Sequence, residues 1–228
     1  GLAVLAFSSV FHERCHCGAA GGFAGPIRGI TLFIFGGVAE MEEEPPTARS
    51  EFLVAIAGPA GSAVLASLGI LGFSAGSVFG APAPVLGVAW YLGWLNGMLA
   101  VFNLVPAFPL DGGRVLRAAL WWAKGRIRWA TRIASTIGSG FGILMMVAGF
   151  LAFLGGGFVA GFWWILLGYF VRMASQSSYQ QLMTRRALEG EPVRRFMRPD
   201  PVTVPPSATL DDVVHAYMYH HDFKTFPV

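Results

Sequence analysis

Apolar residues in this chain form long unbroken runs instead of the periodic alternation of half-buried soluble elements. No Lys, Arg, Asp or Glu occurs from Phe52 to Leu110 or from Ile133 to Val171. A bilayer-crossing helix needs about 20 mostly apolar residues, so each run can supply two. The predicted spans are 52–75, 84–105, 134–154 and 158–174, with an earlier apolar segment, 2–23, as a fifth. Residues 26–39 are rich in β-branched and aromatic side chains and contain Gly36-Gly37, which predicts short strands or a hairpin. Residues 40–51 read as an acidic loop and 106–133 as a basic loop or short helix. After about residue 176 the composition becomes that of a soluble protein.

Composition strengthens the membrane reading. The 228 residues are 54% hydrophobic and 13% charged, with a mean hydropathy of +0.57, whereas soluble domains carry about 25% charged residues. The net charge of +3 and pI of 9.1 come from basic loops. No basic stripe with interleaved aromatics suggests a nucleic-acid partner. By the Lys/Arg bias, the 106–133 loop and the tail after 171 are expected in the cytoplasm of a multi-pass cell-membrane protein. Cys15 and Cys17 lie too close together for a disulfide framework. The chain opens inside an apolar run without a Met and is read as a fragment.

Within the first apolar segment, His12-Glu13-Arg14-Cys15-His16 matches H-E-x-x-H. Positions four apart share a helix face, so both imidazoles can reach one metal while Glu13 can serve as a base without ligating it. The plainer alternative is two satisfied histidines on an ordinary helix. Ionisable groups inside a span are costly and usually functional, which favours the metal. A catalytic zinc takes three protein ligands and keeps a fourth position open. The candidate third ligand is Asp111 in NLVPAFPLDGGR at 103–114, where prolines and glycines break the helix. The alternative there is a helix stop with a solvated Asp111. Cys15 and Cys17 sit off the histidine face and are weaker candidates.

Together, FHERCH at 11–16, GITLFIFGGVAEMEEEP at 29–45, EFLVAIAGPAGS at 51–62 and NLVPAFPLDGGR resemble the site-2 protease family of intramembrane zinc metalloproteases. The closest resemblance is to its prokaryotic branch with C-terminal cystathionine-β-synthase (CBS) domains. Residues 193–228 resemble the first half of a CBS motif, with a strand at 201–204 and a helix opened by Thr209. The resemblance implies that His12, His16 and Asp111 bind one zinc ion per chain, that Glu13 is the general base and that Asn103 lies near the substrate. It implies peptide-bond hydrolysis in membrane-spanning or membrane-anchored proteins, with the lipid bilayer as a further partner. The Gly36-Gly37 segment would be the family's membrane-associated hairpin, pairing with an extended substrate. A complete CBS pair can bind an adenine nucleotide and self-associate, but this fragment lacks the usual ligand-contacting residues. His215, His220 and His221 read as a surface cluster, with a metal as the alternative.

The expected fold class is therefore mainly α: a polytopic transmembrane helical bundle with a small membrane-associated β-hairpin, followed by a truncated α/β CBS-type segment. The expected domains are 1–175, a linker at 176–192, and 193–228. Two other functions compete. Arg14 and the Gly-rich stretch after His16 suggest a catalytically impaired member that binds membrane proteins. The CBS-like tail alone would also suit a regulated transporter.

Overall fold

The computed structural model describes residues 1–23, 45–197, 200–220 and 225–227, and the backbone of 27–33 and 36–41. The chain divides into two compact units, Gly1–Thr184 and Arg185–Val228.

The first unit is built from six helices: α1 (Leu2–Phe23), α2 (Ala48–Val78), α3 (Ala83–Asn103), α4 (Asp111–Lys124), α5 (Ile127–Leu154) and α6, which starts at Phe158 and ends at Leu188 in the second unit. Four of them, α2, α3, α5 and α6, are long and apolar enough to cross a membrane. Expected as a fifth span, α1 is not among them, because its centre carries the polar run from His12 to His16. It nevertheless remains one continuous helix through Gly18, Gly21 and Gly22, and Arg14 points outward and is exposed. The Gly-rich stretch therefore does not break the element that carries the histidines. The basic 106–133 region forms α4 and the start of α5.

Helix α2 starts at a capping box: Thr47 Oγ1 accepts from the Ser50 N–H at 3.1 Å, and the Thr47 N–H donates to Ser50 Oγ at 3.1 Å. Four N-terminal N–H groups of any helix lack internal partners, and this reciprocal pair satisfies two such donors. Against α2 pack α1, α3 and α4. Small residues bring α5 and α6 close together, with Gly138, Gly142 and Gly149 facing Ser175, Gly168 and Gly161. Close backbone approach is how helices associate where lipid removes the hydrophobic drive. A small core of Ala107, Met145 and Val171 joins this pair to the loop before α4. Outward faces of the long helices expose Leu71, Trp90, Trp94, Leu144, Leu151 and Phe162, as a lipid-facing surface would.

The expected fold class is corrected. Among the described residues of 185–228 no strand forms, so the α/β character expected of the tail is absent. Residues 201–204 have no regular structure; Pro201, Pro205 and Pro206 supply no N–H to a ladder, and the Val204 N–H donates to Pro227 O at 2.9 Å. This unit instead contains a 3-10 turn at Val193–Arg195, a helical turn at Leu210–Asp212 and a π-helix at Val213–Met218. Thr209 caps that turn, its Oγ1 accepting from the Asp212 N–H at 3.2 Å. Between α1 and α2 the backbone forms one two-stranded antiparallel pairing, β1 (Ile27–Phe33) with β2 (Gly36–Met41). It is too small to change the class, and no membrane or substrate-pairing role is assigned to it. The chain is a helical protein with a minor strand pair.

Candidate metal centre

His12 and His16 lie one turn apart on α1, both buried, with their Nε2 atoms 3.3 Å apart. Asp111, the first residue of α4, brings its Oδ2 to 3.1 Å from each Nε2. Three residues separated by nearly 100 positions thus converge on one point, and this is the only such His/Cys/Asp/Glu cluster found among the described residues.

Each imidazole is oriented from behind by α2. His16 Nδ1 donates to the Val54 carbonyl at 2.7 Å. A carbonyl only accepts, so Nδ1 carries the proton and Nε2 of the neutral ring presents its lone pair to the cluster. His12 Nδ1 pairs with Ser62 Oγ at 2.8 Å, and Ser62 is fully buried. Ser8, one turn before His12, accepts from Asn96 Nδ2 of α3 at 2.8 Å. The inward face of α1 is thus a polar column matched by partners on α2 and α3. Val54, Ser62 and Asn96 escaped the sequence reading. Val54 and Ser62 lie within the EFLVAIAGPAGS motif at 51–62, whose four-residue step from Gly58 to Ser62 gains meaning once α1 is placed against it.

Gly58 closes the other side. A Cβ there would stand 2.6 Å from His12 Nε2 and would overlap His16 Nε2. Pro59 follows it inside the helix, fully buried.

The position of Asp111 depends on the loop before it. Ala107 and Phe108 are buried, and the Phe108 carbonyl accepts from Ser175 Oγ at 2.8 Å. A Cβ on Gly113 would come within 2.7 Å of the Ala107 carbonyl carbon, and one on Gly112 would overlap the Leu104 and Val105 carbonyls. The two glycines therefore let the first turn of α4 lie directly on the loop. Behind it, Arg117 donates through Nε to the buried Glu51 of α2 at 2.6 Å and lies over the Phe108 ring. Burial pushes the Asp111 carboxyl up; donation and charge from His12 and His16 in their protonated forms outweigh this and hold it at about 2.

The donor set suits a metal. With His16 Nδ1 protonated against Val54, the Nε2 lone pair of the neutral His16 ring faces the Asp111 carboxylate oxygen, and a cation between them removes that conflict. Two nitrogens and one oxygen are a zinc donor set, and ligand atoms about 2.0–2.1 Å from a tetrahedral zinc lie about 3.3 Å apart. Glu13 is buried within electrostatic reach of both histidines, Asp111 and Arg114. Asn103 is not drawn into the cluster: its Nδ2 donates to Leu99 O of its own helix at 3.0 Å. His215 and His220 are exposed and, among the described residues, belong to no group of three metal-ligand side chains, His215 Nε2 lying 3.5 Å from Asp211 Oδ1; His221 lies outside the described residues.

Comparison with known proteins gives a consistent picture. Residues 81–149 match the model of Peptidase family M50, and residues 193–228 match the CBS domain. Rip3 of Mycobacterium tuberculosis is 33% identical over the whole chain, which covers 58% of that protein. The sll0528 protein of Synechocystis is 35% identical over 95% of the chain and 56% of its own length. MJ0392 of Methanocaldococcus jannaschii is 31% identical over the whole chain and 63% of its own length. All three bear zinc metalloprotease in their names, and the chain spans less than two-thirds of each. The solved site-2 protease from Methanocaldococcus jannaschii superposes with a TM-score of 0.57 at 31% identity, over 78% of this chain and 76% of that one. With sequence identity and fold agreeing over most of that structure, the chain belongs to the site-2 protease family.

Proposed function

We propose that this chain is the membrane-embedded catalytic part of a zinc metalloendopeptidase that cuts membrane-spanning or membrane-anchored proteins. His12, His16 and Asp111 hold one zinc ion per chain, and Glu13 is the general base. The observation that supports this most directly is the convergence of His12 Nε2, His16 Nε2 and Asp111 Oδ2 within 3.3 Å of one another. Bound zinc supplies Lewis acidity toward a peptide carbonyl and toward water. The residues around it orient the ligands and handle protons. Val54 and Ser62 hold the two rings, and Glu13 takes a proton from the attacking water and returns it to the leaving amine. Asn103, at the end of α3, contacts substrate on its way in. The loop at 106–133 and the tail face the cytoplasm, as their Lys and Arg content requires.

The test is cleavage of a membrane-anchored reporter by Glu13→Gln beside the unaltered protein, with zinc measured in both. The expected result is loss of cleavage with zinc retained. Full cleavage by the variant would exclude Glu13 as the base and this reading with it.

A further inference from the structure

The corner between α4 and α5 carries a concentration of charge that the metal centre does not use. Lys124 ends α4, Gly125 (φ +66°) turns the chain, and Arg126 precedes the first residue of α5. Lys124, Arg126, Arg128 and Arg132 are all exposed, and none has an ion-pair partner among the described residues. Arg128 and Arg132 are four apart and share one face of α5. Between Gly112 and Leu188 the chain contains no Asp or Glu at all, so nothing in that stretch neutralises them. Arg126 makes no side-chain cap, so the positive end of α5 adds to the same field.

The surroundings of this charge are apolar. Trp122 is 71% exposed one turn before the corner. On α5 the basic residues give way directly to exposed Ile137, Ile143 and Leu144, within a helix able to cross a membrane. Unpaired cations, an exposed indole and the start of a helix able to cross a membrane thus adjoin one another, the combination that suits a headgroup layer, which tryptophan prefers. A purely topological role for the charges requires no choice among lipids.

We infer that the α4–α5 corner, through Lys124, Arg126, Arg128 and Arg132 beside Trp122, binds the phosphate of anionic phospholipid headgroups. Lys124 and Asp111 are the two ends of one 14-residue helix, about 20 Å long. A headgroup held at one end therefore sets the depth at which the other end presents Asp111. The binding itself does not depend on the peptidase reading.

The experiment equilibrates the full chain in detergent micelles with equal amounts of phosphatidylglycerol and phosphatidylcholine of matched acyl chains. The lipid that remains bound is then quantified by mass spectrometry. The expected result is enrichment of phosphatidylglycerol severalfold above input, collapsing as salt is raised. Each neutralised cation near an anionic surface weakens binding roughly fivefold, so the combined Lys124→Gln, Arg126→Gln, Arg128→Gln and Arg132→Gln variant should return to the input ratio. A variant with the three arginines changed to lysine should keep most of the enrichment. Zinc content, read on every variant, should stay unchanged and reports folding separately from lipid binding. An input ratio in the unaltered protein, or enrichment that survives neutralisation, overturns the inference. So does displacement of the lipid, at constant ionic strength, by inorganic phosphate, which would mark a free-phosphate site, or by a polyglutamate peptide, which would mark a protein-docking surface.

Discussion

Gly58 of α2 and His12 of α1 stand so close that a single added methyl group on Gly58 would lie 2.6 Å from His12 Nε2. It would occupy the space toward which both ligand nitrogens point. Alanine is the better helix former by about 1 kcal/mol, which offsets part of the cost of displacing the two buried imidazoles, so Gly58→Ala should still fold, with a lower thermal midpoint. Its bound zinc should fall from near one per chain to well below a tenth of that. Normal zinc in the purified variant would show that the imidazoles can step aside.

Ser62 is expected to act through His12. Groups that hold the far nitrogen of a ligating histidine typically contribute 10–100-fold in metal affinity. Ser62→Ala should therefore weaken zinc binding by about that factor in competition with a chelator, and Ser62→Thr should restore much of it. Equal affinity in all three proteins would assign Ser62 to packing alone.

Arg117 and Glu51 join α4 to α2 away from the bilayer-spanning centre of the helices, with both side chains largely buried. Removing one partner of a buried pair costs about 3–5 kcal/mol because the other charge is stranded. Arg117→Ala should lower the thermal midpoint sharply and release zinc as α4 loosens. An unchanged midpoint would mean that the Ala107–Phe108 loop alone positions Asp111.

The Asn103→Ala variant is expected to separate metal binding from substrate handling. The Asn103 amide is engaged with Leu99 in its own helix, so Asn103→Ala should leave zinc content unchanged while raising KM for a membrane-anchored reporter severalfold. Zinc loss in this variant would place the residue in the metal centre instead.

Removing zinc should also destabilise the helices around it, because a ligand that binds only the folded state adds its binding free energy to stability. Chelation is expected to lower the unfolding midpoint of the unaltered protein and of Glu13→Gln equally. Asp111→Ala, already depleted of zinc, should hardly respond. An equal drop in Asp111→Ala would point to a metal held elsewhere.

Much of this protein is legible from its sequence because the governing constraints are local. The four-residue step from His12 to His16 places both rings on one helix face whatever surrounds them. Uncharged runs long enough for two helices each indicate membrane spans by length and composition alone. The prolines and glycines of 106–113 mark a break beside Asp111. Other features depend on which helices become neighbours. The Val54 carbonyl, Ser62 and Gly58 belong to the site only because α2 packs against α1, and Asp111 reaches the histidines only because Arg117 and the Ala107–Phe108 loop set the position of α4. The tail shows the converse: its motif suggests a strand at 201–204, but that segment has no regular structure, with Pro201 supplying no N–H and the Val204 N–H donating to Pro227 O. Spacing within one helix is dictated by backbone geometry, whereas contact between helices is settled by how their faces fit, and only the folded structure decides that.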